Sequence, residues 1–305
     1  MGPAHRRNGA PGLCQRRMAM QERIYATAKG DIHYWISETI RQDRWTLVFL
    51  PGLTADHRLF ERQTAHFASL YNVLVWDAPG HGASWPFDLS FSLMDEAAWL
   101  NEILSACHVE TPVLVGQSMG GYVAQAYCQL YPDRISGFVA IDSAPLQRGY
   151  TTALEIGLLK RMEPLYRLLP WRLLLRWGSS GVAVSEYGRR LMRDMMSAYT
   201  GQQERYARLA GHGYRMLAEA MEADLPYRIS CPALLICGEK DRAGSCVRYN
   251  RAWHRKAGIS LAWVPHAGHN ANTDAPEAVN GLLERFAAGL DRPQPFTSHP
   301  GSPCR

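Results

Sequence analysis

Short apolar runs alternate with segments of helical period along most of this chain. Continuous apolar stretches at 32–37, 45–50, 73–76, 112–115, 137–141, 233–237 and 261–264 have strand length. Between them, apolar residues recur at helical spacing over 59–70, 93–107, 119–130, 247–256 and 276–290, which predicts helices. Strands without polar alternation are buried on both faces. The pattern therefore predicts an α/β fold, a mostly parallel sheet with helices on both faces. The rhythm breaks once. From 145 to 227 the period is helical and no strand stands out, which predicts a helical insertion between two sheet strands. No apolar run approaches the ~20 residues needed to span a bilayer.

Composition changes this picture little. The 305 residues are 47% apolar and 20% charged, as in ordinary globular proteins. The net charge of +5 is more informative once located. Arg6, Arg7, Arg16 and Arg17 stand in the first twenty residues without an acid, and Arg292 and Arg305 lie in the last fifteen with Asp291. Between 21 and 290 acids and bases balance, so the folded part lacks the basic excess of a nucleic-acid binder. The first twenty residues have no apolar core of the kind a secretory signal needs, and read as a disordered extension. The Pro- and Ser-rich 291–305 reads as a loose tail. The core is then 21–144 with 228–290, and 145–227 is the insertion. Seven scattered cysteines, Cys14, Cys107, Cys128, Cys231, Cys237, Cys246 and Cys304, form no C-x-x-C pair. They suit reduced thiols in a cytoplasm better than a disulfide framework or a zinc site.

The chemistry concentrates at Gly116-Gln117-Ser118-Met119-Gly120, where an apolar strand runs into a helix. Such a turn holds the serine in strained backbone geometry, and small flanking residues let strand and helix approach. The N–H of Met119 opens the helix, where unpaired donors can stabilise an oxyanion.

From here the chain resembles the α/β-hydrolase superfamily, over about 22–290, on several motifs in the right order. Pro51-Gly52-Leu53-Thr54 is similar to the family's oxyanion loop, and the resemblance makes the Leu53 N–H a second oxyanion donor. Asp77-Ala-Pro-Gly80-His81-Gly82-Ala-Ser84 is similar to its D-x-x-G-x-G-x-S turn, which implies a structural role and a satisfied His81. A serine needs a base, and the base needs an orienting group. The resemblance assigns the base to His269, in Ala267-Gly268-His269-Asn270, and leaves His266 as a loop residue near the mouth. It favours Asp241, just past the penultimate strand, as the acid. Asp142, at the end of the preceding strand, is the rival. Asp274-Ala-Pro-Glu277 reads as an N-cap and helix start. The fold so implied is an α/β-hydrolase with a mostly parallel eight-stranded sheet and a helical cap.

In the cap, Leu168, Trp171, Leu174 and Leu175 fall on one helical side, with Arg172 and Arg176 at i,i+4. That side is expected to pack on the core and roof the pocket; contact with lipid would be weak at best. Arg189, Arg190, Arg193, Arg205, Arg208 and Arg215, with His212 among them, read as a solvated surface or, alternatively, as the wall of an anion pocket. The resemblance implies a serine hydrolase of the carboxylesterase kind acting on a small molecule, with no cofactor and no metal. Two alternatives stay open. One is a carbon–carbon bond hydrolase or lyase using the same residues on an anionic substrate, as in the branch of the menaquinone-pathway lyase and ring-cleavage hydrolases. The other is a non-catalytic receptor on the same fold.

Overall fold

Residues 20–291 are described by the computed structural model. The expected extension and tail lie outside these residues, apart from Met20 and Asp291. Eight strands form one sheet: β1 (Met20–Thr27), β2 (Gly30–Ser37), β3 (Thr46–Leu50), β4 (Asn72–Trp76), β5 (Val113–Gln117), β6 (Gly137–Ile141), β7 (Ala233–Gly238) and β8 (Ser260–Val264). Their order is β1-β2-β4-β3-β5-β6-β7-β8. β1 and β2 form an antiparallel hairpin, β2 pairs antiparallel with β4, and every pairing from β4 onward is parallel.

The seven apolar runs all become strands, and β1 is an addition. Its sequence mixes Gln21, Glu22 and Arg23 with Ile24 and Tyr25, and Ile24 stays 56% exposed at the sheet edge. An edge strand with so little to bury leaves no apolar run to find. Met20, assigned to the extension, opens this strand.

The central strands are buried on both faces, and period 2 divides their side chains between two cores. Val48 and Leu50 face one layer with Leu114, while Leu47 and Phe49 face the other with Val113 and Val115. The first layer is completed by α2 (Leu93–Ala106), α3 (Met119–Leu130) and Trp253 of α9 (Cys246–Ala257). The second is completed by α1 (Glu61–Phe67) and α11 (Pro276–Ala288). Each such side chain taken from water contributes roughly 1.5–3 kcal/mol, so the two layers fix the sheet. The helix expected over 59–70 is shorter. A 3-10 turn at His57–Phe60, capped by Asp56, precedes α1.

Between β6 and β7 the chain is helical: α4 (Ala153–Leu159), α5 (Met162–Leu168), α6 (Trp171–Val182), α7 (Glu186–Ser197) and α8 (Gln203–Glu222). These helices form a cap over the carboxyl ends of the parallel strands. One expectation fails here. Leu168 does not share a buried stripe with Trp171 and Leu174; it ends α5 and is 83% exposed. Pro170 separates the two helices, and it is Leu169 that turns inward. Leu174 is buried, and Trp171 and Leu175 are half-buried. Among the described residues, no helix is long and apolar enough to cross a membrane.

Candidate active site

β3 lies between β4 and β5, so the strand order reverses around it, and crevices at such a point open at the carboxyl ends of the strands. Three loops meet there. Ser118 follows β5, with φ 50° and ψ −114°, in the strained region the turn requires. The tightness of the turn explains its glycines. A Cβ on Gly116 would lie 2.4 Å from the Gly120 backbone, and one on Gly120 would lie 1.9 Å from the Leu50 carbonyl oxygen. The Ser118 N–H donates to the Ile141 carbonyl, and Ser143 Oγ donates to the Ser118 carbonyl. Met119 is the first residue of α3, so its N–H has no acceptor within the helix.

His269 and Asp241 arrive from the loops after β8 and β7. His269 Nε2 is 2.9 Å from Ser118 Oγ, and its Nδ1 is 3.0 Å from Asp241 Oδ2. The histidine side chain is 12% exposed and that of Asp241 is fully buried. Burial alone would lower the pKa of His269. The hydrogen bond and charge of Asp241, with the charge of Asp142, outweigh it and raise the value above 6.5. Burial likewise opposes the Asp241 carboxylate, yet its hydrogen bond to His269 holds it below the usual range.

The rival acid takes a different place. Asp142 is buried, and its two oxygens accept the N–H groups of Gly238 and Ala271, at 2.7 and 2.9 Å. Burial and the negative charge of Asp241 push its pKa well up. It braces the loops that carry the other two residues and makes no hydrogen bond to the imidazole.

Several features of the site left no trace in the sequence motifs. Gln117 Nε2 donates to the His269 carbonyl (2.9 Å) and to Asn270 Oδ1 (3.1 Å), buckling the serine turn to the histidine loop. Asp274 does not cap the helix after it. It ends the short helix α10 (Ala271–Asp274), and Ala275 precedes α11. Its carboxylate accepts from Gly268, Val184 and Ser185 instead, joining the histidine loop to the link between α6 and α7. His266 is exposed, and His81 bonds through only one nitrogen, 3.1 Å from the Pro79 carbonyl.

Two cavities adjoin Ser118 and His269. The larger, about 430 Å³, has Leu53, Met119, Tyr122, Leu158, Leu159, Met162 and Leu217 in its walls. The smaller, about 150 Å³, reaches between Thr54, Tyr166, Met192 and Tyr206. Neither has a Lys or Arg in its lining. Two of the cap arginines are engaged elsewhere, Arg215 with Glu163 and Arg205 stacked on Trp85 and Tyr199, while Arg190, Arg193 and Arg208 are exposed. Glu155 stands at the rim of the larger cavity, where its carboxylate accepts from Arg248 and from the Tyr249 hydroxyl, both at 2.6 Å.

Among the described residues, the fold also assembles two groups with metal-ligand spacing that the linear sequence does not show. Cys237, Asp241 and Cys246 have ligand atoms within 4.8 Å of one another, as do Asp56, His57 and Asp77. Both already have other partners. Asp241 is bonded to His269, while Asp77 accepts from His57 and Ala83 and Asp56 from Arg58.

Comparison with known proteins places the fold. A model of the alpha/beta hydrolase family matches residues 47–282, from β3 into α11. The chain belongs to that family. Among curated relatives, the 3-oxoadipate enol-lactonase 2 of Acinetobacter baylyi is 26% identical over 79% of this chain and 88% of its own length. The 2-succinyl-6-hydroxy-2,4-cyclohexadiene-1-carboxylate synthase of Serratia proteamaculans is 26% identical over 80% and 93%. A thermophilic esterase from Thermogutta terrifontis superposes with a TM-score of 0.70 over 88% of this alpha/beta hydrolase and 98% of its own chain, at 18% identity, a likeness of fold.

Proposed function

We propose that this alpha/beta hydrolase cleaves carboxylic esters of uncharged acyl groups through an acyl-enzyme. The observation that carries the reading is the unbroken hydrogen-bonded chain from Ser118 Oγ through His269 to Asp241, opening on two cavities. His269 takes the serine proton as Oγ attacks the ester carbonyl, and Asp241 holds the Nδ1–H and balances the imidazolium. The N–H groups of Leu53 and Met119 receive the oxyanion. Collapse expels the alcohol, which takes the proton from His269. Water then attacks the acyl-enzyme with His269 again as base, and Ser118 regains its proton as the acid leaves.

Two cavities that both reach Ser118 and His269 suit the two arms of an ester. The lining argues for an uncharged substrate, since neither cavity has a Lys or Arg in its wall and the cation at the rim, Arg248, is already paired with Glu155. That weighs against an anionic carbon–carbon cleavage substrate of the kind that gives meaning to cap arginines. The test is labelling by a serine-reactive phosphonate, followed by turnover of aryl esters of increasing acyl length beside the same acyl chains ending in a carboxylate. Labelling with a clear preference for the uncharged series is expected. No labelling returns the protein to the class of non-catalytic receptors, and a preference for the carboxylated series overturns the substrate class.

A further inference from the structure

Behind the loop of Leu53 lies a third, small chamber that this chemistry does not use. Among the described residues, nine buried side-chain atoms lack a hydrogen-bond partner within the protein. Four of them are Trp76 Nε1, His81 Nε2, Glu96 Oε2 and His212 Nε2, and all four side chains line this one chamber. They come from the end of β4, the turn after it, α2 and α8. Every one of these residues is more than nine-tenths buried. Buried polar atoms rarely go unpaired, and four around one space mark a site that takes a ligand.

The chemistry of the walls defines that ligand. Trp76 Nε1 can only donate. His81 gives its Nδ1 hydrogen to the Pro79 carbonyl, so its Nε2 is an acceptor. Burial pushes the Glu96 carboxyl up to about 8, so at neutral pH it is an uncharged acid that both donates and accepts. Burial also pulls the His212 imidazole down to about 4 and leaves it neutral. The chamber thus offers donors and acceptors without net charge. Its volume, about 10 Å³, admits roughly one water molecule.

We propose that Trp76, His81, Glu96 and His212 bind a single internal water that positions the oxyanion segments against α2 and α8. Pro51, Gly52, Leu53 and Met119 are among the chamber's other lining residues. Leu53 leans on α8 beside His212, closely enough that a Cβ at Gly213 would lie 2.5 Å from Leu53 Cδ1. The water ties α2 and α8 to the sheet, and the packing of Leu53 on α8 passes that hold to the oxyanion loop. The binding site stands on its own; the positioning role rests on the esterase reading.

A crystal structure that resolves waters tests the site. One ordered water within ~3.2 Å of at least three of the four atoms is expected. A dry chamber, or direct pairing among the four side chains, overturns it. The positioning role is read from a pair of variants. Glu96→Gln keeps an uncharged donor and acceptor, and should hold kcat and KM within about twofold of wild type. Glu96→Leu removes both and should lower kcat about tenfold with KM unchanged, a fraction of the 10²–10³ lost with a whole oxyanion donor. Phosphonate labelling at Ser118 should persist in both variants. Wild-type kcat in a folded Glu96→Leu protein, or equal losses in the two, overturns the role. Should Glu96→Leu not fold, His212→Asn against His212→Leu makes the same comparison. Absence of labelling in the wild-type protein would count against the esterase reading alone and leave the crystallographic result standing.

Discussion

The carboxyl end of the sheet and the cap above it are joined to the protein in different ways. At the sheet, short loops are cross-braced by buried, directional bonds: Gln117 to the histidine loop, Asp142 to two backbone amides, Ser143 to the serine carbonyl. The cap's polar ties to the core are as numerous but lie nearer the surface. Glu155 reaches Arg248 and Tyr249, Asp274 receives the amides of Val184 and Ser185, and Tyr187 bonds Glu61. Five of its apolar side chains, Leu154, Leu158, Leu165, Leu168 and Trp177, remain exposed. Groups that move protons must be held to a few tenths of an ångström, whereas a surface that sorts substrates by size can be held more loosely.

Substitutions should separate the two regions by orders of magnitude. Ser118→Ala should lower turnover about 10⁶-fold and abolish phosphonate labelling, with melting temperature unchanged. Near-wild-type activity in the folded variant would end the serine mechanism. Asp241→Asn should lower kcat about 10⁴-fold, because an amide cannot accept the Nδ1–H and the nitrogen facing Ser118 ceases to be a base. Asp142→Asn tests whether bracing and chemistry are separate. It should cost about 1–3 kcal/mol of stability, from an amide facing a buried N–H, and less than tenfold in rate. The reverse ranking would exchange the roles of the two acids.

If His269 is the base, the acidic limb of kcat/KM should read its proton. Its raised pKa predicts a midpoint above 6.5, with activity lost as pH falls through it. The same shift contributes stability that is full below the unfolded value near 6.5 and is lost as pH rises through the folded one. A limb below 6.5 would show that burial outweighs Asp241.

At the cap the effects should be small. Glu155 is held down to about 2, chiefly against its burial, by the bonds from Tyr249 and Thr152. Its contribution is present above its unfolded value near 4.5 and is lost as pH falls through about 2. Glu155→Gln should cost about 1 kcal/mol at pH 7 and raise KM a few-fold with kcat held. A kcat loss as large as that of Asp241→Asn would dissolve the distinction between the regions. Leu168→Ser should change stability by no more than about 0.5 kcal/mol, since its side chain meets solvent. A larger drop in melting temperature would mean that this face is covered.

The same contrast decides what could be read before the fold was seen. The serine turn was legible because strand, glycines and helix are contiguous and each follows from local sterics. Buried strands announce themselves by composition, while β1, with Ile24 in solvent, does not. Asp142 and Asp241 both end parallel strands, and only the direction of their carboxylates tells them apart. Asp274 sits where a helix cap belongs, yet spends its oxygens on amides some ninety residues away in sequence. Trp76, His81, Glu96 and His212 carry no spacing that links them, because their meeting is made by packing alone. In the cap, Pro170 shifts which leucine turns inward, a matter of helix direction that an apolar period spanning the break conceals.

The carboxylate of Asp274 holds the residue before His269 with one oxygen and two amides of the cap with the pair. The loop that presents His269 and the loop that shapes the roof are therefore fastened into one part. Caps exchanged between relatives as modules would succeed only when the incoming segment brings two amides to the same point. Recombination within this stretch should favour crossovers that leave 184–185 and 268–274 with their original partner.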